Sequence, residues 1–92
     1  MPVNFIFISL PTMQYLITLY LEPPNNSMEY VKQLSGIRDL EIDDRYGLVP
    51  ISPKRNLYVI RVIGDIDPNH LMSIQAAVKG VHGDMKVEPF NS

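Results

Sequence analysis

Acidic and imidazole side chains are concentrated in one short stretch, Asp-Ile-Asp-Pro-Asn-His, which contains Asp65, Asp67 and His70. Carboxylate and imidazole groups at this spacing are possible metal ligands. Helix capping is the competing interpretation, because Asp67 directly precedes Pro68, and Asp before Pro is typical of a helix start. Asp65 would lie near the same positive helix end. Because capping accounts for both carboxylates, we predict no metal site and no cofactor.

Catalytic constellations are missing from the rest of the chain. His70 begins the second predicted helix and His82 follows it, so we expect roughly 16 Å of helix between them and no acid–base pair. No serine lies in a G-x-S-x-G turn, and there is no glycine-rich phosphate loop. The absence of cysteine excludes a thiol nucleophile, a thiolate metal site and a disulfide framework. The sequence therefore predicts a protein that is not an enzyme and has no catalytic residues.

The charge balance argues against nucleic acid as a partner. Eight Lys and Arg residues stand against ten Asp and Glu residues, which leaves a formal net charge of −2. General nucleic-acid binders carry a basic surplus. RNA-recognition domains also stack bases on aromatic side chains of their third strand. The corresponding predicted strand here, within 55–62, has Tyr58 as its single aromatic residue and contains no glycine.

The length of 92 residues predicts one domain, preceded by an uncharged start. Residues 1–21 carry no charge, which raises the alternative of a membrane span or a secretory signal. Pro2, Pro11 and several polar residues, together with the lack of flanking Lys or Arg, favour strands instead. We assign 1–12 as an N-terminal extension or extra edge strand and 13–92 as a single domain. We expect a cytoplasmic protein without membrane contact.

Hydrophobic periodicity predicts six elements in that domain. Strands are expected at 14–22, 37–43, 56–63 and 81–89, and the two helices are expected to end at Gly36 and Gly80. The first helix rests on apolar residues three apart, Met28, Val31 and Leu34. Residues 44–55 are expected to form a long loop with a short extended piece at Leu48 and Val49.

A shift of 44 residues aligns the two halves of the domain. Pro24 then meets Pro68 and Gly36 meets Gly80, so each half reads strand, helix, glycine stop, strand. Two such units predict an α+β, ferredoxin-like βαββαβ sandwich with an antiparallel sheet and both helices on one face. Right-handed crossovers would place the first and third strands side by side in its centre.

Two predicted central strands are apolar on both faces, although helices would cover only one. An exposed apolar sheet face usually marks an interface. One explanation is that the N-terminal segment folds over or beside this face. We predict instead that the face binds a protein partner, most simply a second copy in a homodimer. The expected interface residues are Tyr15, Ile17, Leu19, Val59, Arg61 and Ile63.

The last third of the chain resembles subtilisin-type propeptides and related proteinase inhibitors, which share the βαββαβ fold. The matching residues are Pro68, Gly80, Val81, Val87, Glu88 and Pro89. The resemblance implies that the outer sheet face packs on a protease and that the tail 88–92 enters its active-site cleft. The spacing from Gly80 to Val87 is longer than is usual in that family.

A second resemblance is to ACT-type regulatory domains, which also have the βαββαβ fold and bind small effectors at paired interfaces. In many of them a glycine in the first strand-to-helix loop permits close approach of the ligand. The corresponding loop here, 22–26, has no glycine. A small-ligand regulatory domain is therefore the third functional alternative, beside the interaction module and the protease inhibitor.

Overall fold

A computed structural model describes residues 13–83, which contain five strands and two α-helices. The predicted N-terminal extension or extra edge strand at 1–12 and the tail 88–92 lie outside the described residues. The elements, in chain order, are β1 (Gln14–Tyr20), α1 (Met28–Val31), β2 (Glu41–Ile42), β3 (Val49–Ser52), β4 (Leu57–Ile63), α2 (Pro68–Ile74) and β5 (Val78–Gly83), with a 3₁₀ turn at Pro53–Arg55 before β4. In this part of the chain, no helix has the length and apolar character needed to cross a membrane.

All strand pairs are antiparallel, and β1 and β4 form the centre of the sheet. The strand order is β2-β4-β1-β5, and β3 pairs with β4 on the same side as β2. The prediction of an α+β domain with an antiparallel sheet and two helices is confirmed. The predicted strands at 14–22 and 56–63 correspond to β1 and β4, which lie side by side as expected.

The core lies between one face of the sheet and the two helices. Alternate residues of β1 and β4 are fully buried on this face, with Ile17 directly opposite Ile60. Val31 of α1 and Leu71 of α2 belong to the same apolar cluster. We call this side the helix face. Burial of such aliphatic side chains stabilises a domain by about 1.5–3 kcal/mol each, so these residues hold the helices on the sheet.

The first helix is shorter than its periodicity predicts. Ser27 caps α1 by accepting a hydrogen bond from the Tyr30 amide, but the α-helix ends at Val31. The chain continues in tight turns, in which the Leu34 amide donates to the Val31 carbonyl three residues earlier. Apolar residues spaced by three match the three-residue period of such turns. Gly36 then reverses the chain with a φ of +82°, as expected for a glycine stop.

The second helix begins where the sequence predicts and ends six residues before Gly80. Asp67 caps it, with Pro68 at its first position. The prediction that Gly80 ends the helix is wrong, because Gly80 lies within β5 and outside the residues of positive φ. The helix ends early because the chain after it pairs with β1. This pairing begins where the Tyr20 amide donates to the Ala77 carbonyl, and Val78 is then buried beside Leu19.

The predicted strand at 37–43 is reduced to two residues, Glu41–Ile42. Its first half forms turns that bury Ile37 completely in the core. The short extended piece expected near Leu48 and Val49 is the strand β3, Val49–Ser52, which lies along the same edge of β4. The edge of β4 thus carries two short strands, of which β2 lies in the predicted strand and β3 in the segment predicted as a long loop.

The equivalence of the two halves under a 44-residue shift is not maintained in the structure. Leu16 aligns with Ile60, yet Ile60 lies on the helix face, whereas Leu16 lies opposite Arg61 on the other face. Likewise Pro68 starts a helix, whereas Pro24 lies in a turn four residues before α1. The two halves share an element order without sharing residue positions.

Candidate functional site

The face of the sheet opposite the helices carries a second set of apolar side chains. Residues directly opposite each other in an antiparallel pair point to the same side. The pairs Leu16–Arg61 and Thr18–Val59 therefore share this side, which no helix of residues 13–83 covers. We call it the helix-free face. It is formed by Gln14, Leu16, Thr18, Tyr20, Leu57, Val59, Arg61, Ile63 and His82.

The six residues predicted for the interface are divided between the two faces. Ile17 and Leu19 are 0% exposed in the core, and Tyr15 packs against it. The prediction that these three share an outer face with the other residues is wrong, because register places them opposite Val62, Ile60 and Tyr58 on the helix face.

Val59, Arg61 and Ile63 do lie together on the helix-free face. Their cross-strand neighbours are Thr18, Leu16 and Gln14. Val59 is only 7% exposed, and Ile63 and Leu16 are half-buried. Leu16 also belongs to this surface, although it was not among the predicted interface residues. The alternation in β1 could have indicated this. Its odd positions are uniformly apolar, as a core face requires, whereas Gln14 and Thr18 mark the even positions as the other face.

Arg61 is the one basic side chain that β1 and β4 contribute to this face. Contacts with Tyr46 and Asp43 fix its position. Its guanidinium carbon lies 4.6 Å from the ring centre of Tyr46. Its Nε is 3.4 Å from Oδ2 of Asp43. The other carboxylate oxygen, Oδ1 of Asp43, accepts hydrogen bonds from the backbone amides of Arg45 and Tyr46. Stacking and ion pairing orient the guanidinium, so the face presents a positioned charge beside its apolar residues.

A second surface feature is a groove of about 330 Å³ between α2 and the turns that follow α1. One wall consists of α2 residues, and the opposite wall is formed around Gly36. Beyond Ile74, the side-chain amide of Gln75 donates to the Ser35 carbonyl (3.1 Å) and joins the two walls. The lining residues are Gly36, Asp39, Leu40, Asp65, Ile66, Asp67, His70, Leu71 and Ile74.

Asp65, Asp67 and His70, the residues considered as metal ligands, lie at the start of α2. Oδ1 of Asp67 accepts from the amides of Asn69 (3.1 Å) and His70 (3.3 Å), as an N-cap does. Asp65 and His70 line the groove beside it. In the described range, no three His, Cys, Asp or Glu residues are grouped so that they could hold a metal ion.

His70 and His82 lie apart, as predicted, but the length of α2 is not what separates them. β5 returns along β1, so His82 lies opposite Leu16, near the end of the sheet where β4 leads into α2. His82 belongs to the helix-free face, whereas His70 lines the groove on the helix side. The thickness of the sheet, rather than the length of the helix, lies between them.

Known proteins provide no functional assignment for these surfaces. The chain matches no protein-family model, no curated protein and no solved structure.

Proposed function

We propose that this protein is a ferredoxin-like, non-enzymatic binding domain that associates with a second copy of itself through the helix-free face. The observation that carries the proposal is the apolar character of this face in the two central strands. Leu16 and Ile63 lie there half-buried, on the side of the sheet away from α1 and α2, so part of each apolar side chain meets water, whereas Val59 is already covered by the domain. Monomeric domains rarely leave a contiguous apolar sheet face in water.

Strand connectivity supports the ferredoxin-like assignment. The first crossover leaves β1, passes through α1 and arrives at the β2 and β3 edge, with β4 in between. The second leaves β4, passes through α2 and arrives at β5, with β1 in between. Two crossovers that interleave in this way are the pattern of a split βαβ pair. The division of one edge strand into β2 and β3 is the main departure from it.

The energetics of the face fit a weak or moderate dimer. A contact that buries a few hundred Å² of apolar surface on each partner contributes several kcal/mol at ~25 cal/mol per Å². Loss of translational and rotational freedom offsets a large part of this gain. The oriented guanidinium of Arg61 adds a polar contact that favours one alignment of the partners, because charged groups fix register more than they add affinity.

The experiment that tests this proposal is a measurement of molar mass by light scattering over a series of concentrations. It compares the natural protein with a charged substitution on the helix-free face. Leu16 is the appropriate position, because Ile17 belongs to the core and its replacement would unfold the domain.

A further inference from the structure

The groove beside α2 (the α2 groove) combines apolar walls with an acidic rim. Ile74, at 46% exposure, is the most exposed apolar residue of its lining, and the half-buried Leu40 and Ile66 add further apolar surface. When a partner covers such an exposed aliphatic side chain, the burial of its apolar surface makes the free energy of binding more favourable. The groove is of the size of one or two side chains, so it suits a short segment of a partner.

The charge of the rim is negative and is only partly used by the protein itself. Asp67 is committed to capping α2. Within residues 13–83, the carboxylates of Asp39 and Asp65 accept no hydrogen bond and form no ion pair. Three Asp residues line the groove and no Lys or Arg does. An acidic or phosphorylated partner would therefore be repelled, and a basic one attracted.

We propose that the α2 groove binds a protein partner through a short segment in which a large apolar side chain is followed by Lys or Arg. The apolar side chain would cover Ile74, and the basic group would reach the carboxylates of Asp39 and Asp65. This surface lies on the helix side of the sheet, so its occupation is independent of association through the helix-free face. The domain would then have two separate contacts, one for its own copy and one for a basic partner.

The test uses a fluorescein-labelled peptide with Leu, Lys and Arg in succession between glycines, titrated with the full chain and followed by fluorescence anisotropy. We expect saturable binding that weakens as salt rises, because the rim charges are exposed and screened. Asp39→Asn and Asp65→Asn should each weaken binding about two- to fivefold, the range of an exposed ion pair. Glu22→Gln is the matched control with the same change of net charge, and it should bind like the natural protein.

Two further peptides separate the apolar contribution from the ionic one. Replacing Leu by Ala, or both basic residues by Glu, should each reduce binding. Amide shifts of the ¹⁵N-labelled protein locate the contact, and we expect them at 36–40 and 65–74. Equal binding of all three peptides, shifts confined to the helix-free face, or no binding up to about 1 mM protein would overturn the proposal. None of these outcomes depends on whether the protein forms a dimer.

Discussion

Ile17 of β1 lies directly opposite Ile60 of β4, and both side chains are completely buried. This pair belongs to the core cluster that also contains Val31 of α1 and Leu71 of α2. Leu16, the preceding residue, lies opposite Arg61 on the other side of the sheet. Adjacent residues of β1 therefore belong to different faces of the sheet, Ile17 to the helix face and Leu16 to the helix-free face.

The Ile17→Ala substitution should lower the free energy of unfolding by about 2–5 kcal/mol, the cost of removing a large aliphatic side chain from a packed core. Leu16→Ala should cost about 1 kcal/mol or less in the monomer, because Leu16 is only half-buried. Urea denaturation at one fixed low protein concentration measures both. Equal losses for the two variants would contradict the placement of Ile17 in the core.

The sequence predicts the elements that have strong local signals. The cap at Asp67 and the apolar run of β4 lie where they were expected, because N-cap chemistry and β-branched residues act locally. The end of α2 could not be predicted in this way. It is determined by the pairing of β5 with β1, and a glycine at position 80 is compatible with either a helix stop or a strand.

The sequence predicts that β1 and β4 are apolar on both faces, but not which residue lies on which face. In β1, both Leu16 and Ile17 are apolar, so side-chain type alone does not tell which one faces the helices. Strand register decides this, since a shift by one residue exchanges the two faces. The α2 groove was not predictable, because Asp39 and Asp65 are brought together only by the packing of α2 against the turns after α1.

Gly36 and Gly80 should respond differently to substitution by Ala. Gly36 has a φ of +82°, which a residue with a Cβ adopts at a cost, so Gly36→Ala should destabilise by about 1 kcal/mol or more. Its added Cβ would also lie 2.8 Å from Cδ1 of Ile74, a flexible chain end that can move. At Gly80 the nearest atom would be 3.5 Å away, so Gly80→Ala should be neutral within about 0.5 kcal/mol. Thermal denaturation of both variants tests this difference, and similar losses would contradict it.

Removal of the cap of α2 should have a measurable cost. Asp67→Ala should lower the free energy of unfolding by about 1 kcal/mol, because the amides of Asn69 and His70 lose their acceptor. Asp67→Asn should retain most of the stability, since an amide oxygen also caps. Denaturation of the two variants under identical conditions provides the measurement. If Asn were as harmful as Ala, charge rather than capping would be the role of Asp67.

Divalent metals should not stabilise the protein. Capping accounts for Asp67, and the described residues contain no grouped set of ligands. Zinc or calcium at modest excess should therefore leave the melting temperature unchanged, since only a ligand that binds the native state raises it. A rise of several degrees that His70→Ala abolishes would show that a metal site exists.

Self-association through the helix-free face is the central claim, and Leu16→Glu tests it most directly. A carboxylate placed in a buried apolar contact is costly, so the dissociation constant should rise at least about tenfold. Thr18→Glu, on the same face at a position that is already polar, provides a second variant with a smaller risk to folding. Met72→Glu is the matched control, because Met72 is 42% exposed on α2, away from this face.

The decisive measurement is molar mass by multi-angle light scattering across a concentration series, with circular dichroism confirming that each variant is folded. The natural protein and Met72→Glu should pass from the mass of one chain to that of two as concentration rises. Leu16→Glu and Thr18→Glu should keep the mass of one chain over the same range. A natural protein of single-chain mass at every concentration, or a dimer that both helix-free-face variants leave intact, would contradict the account.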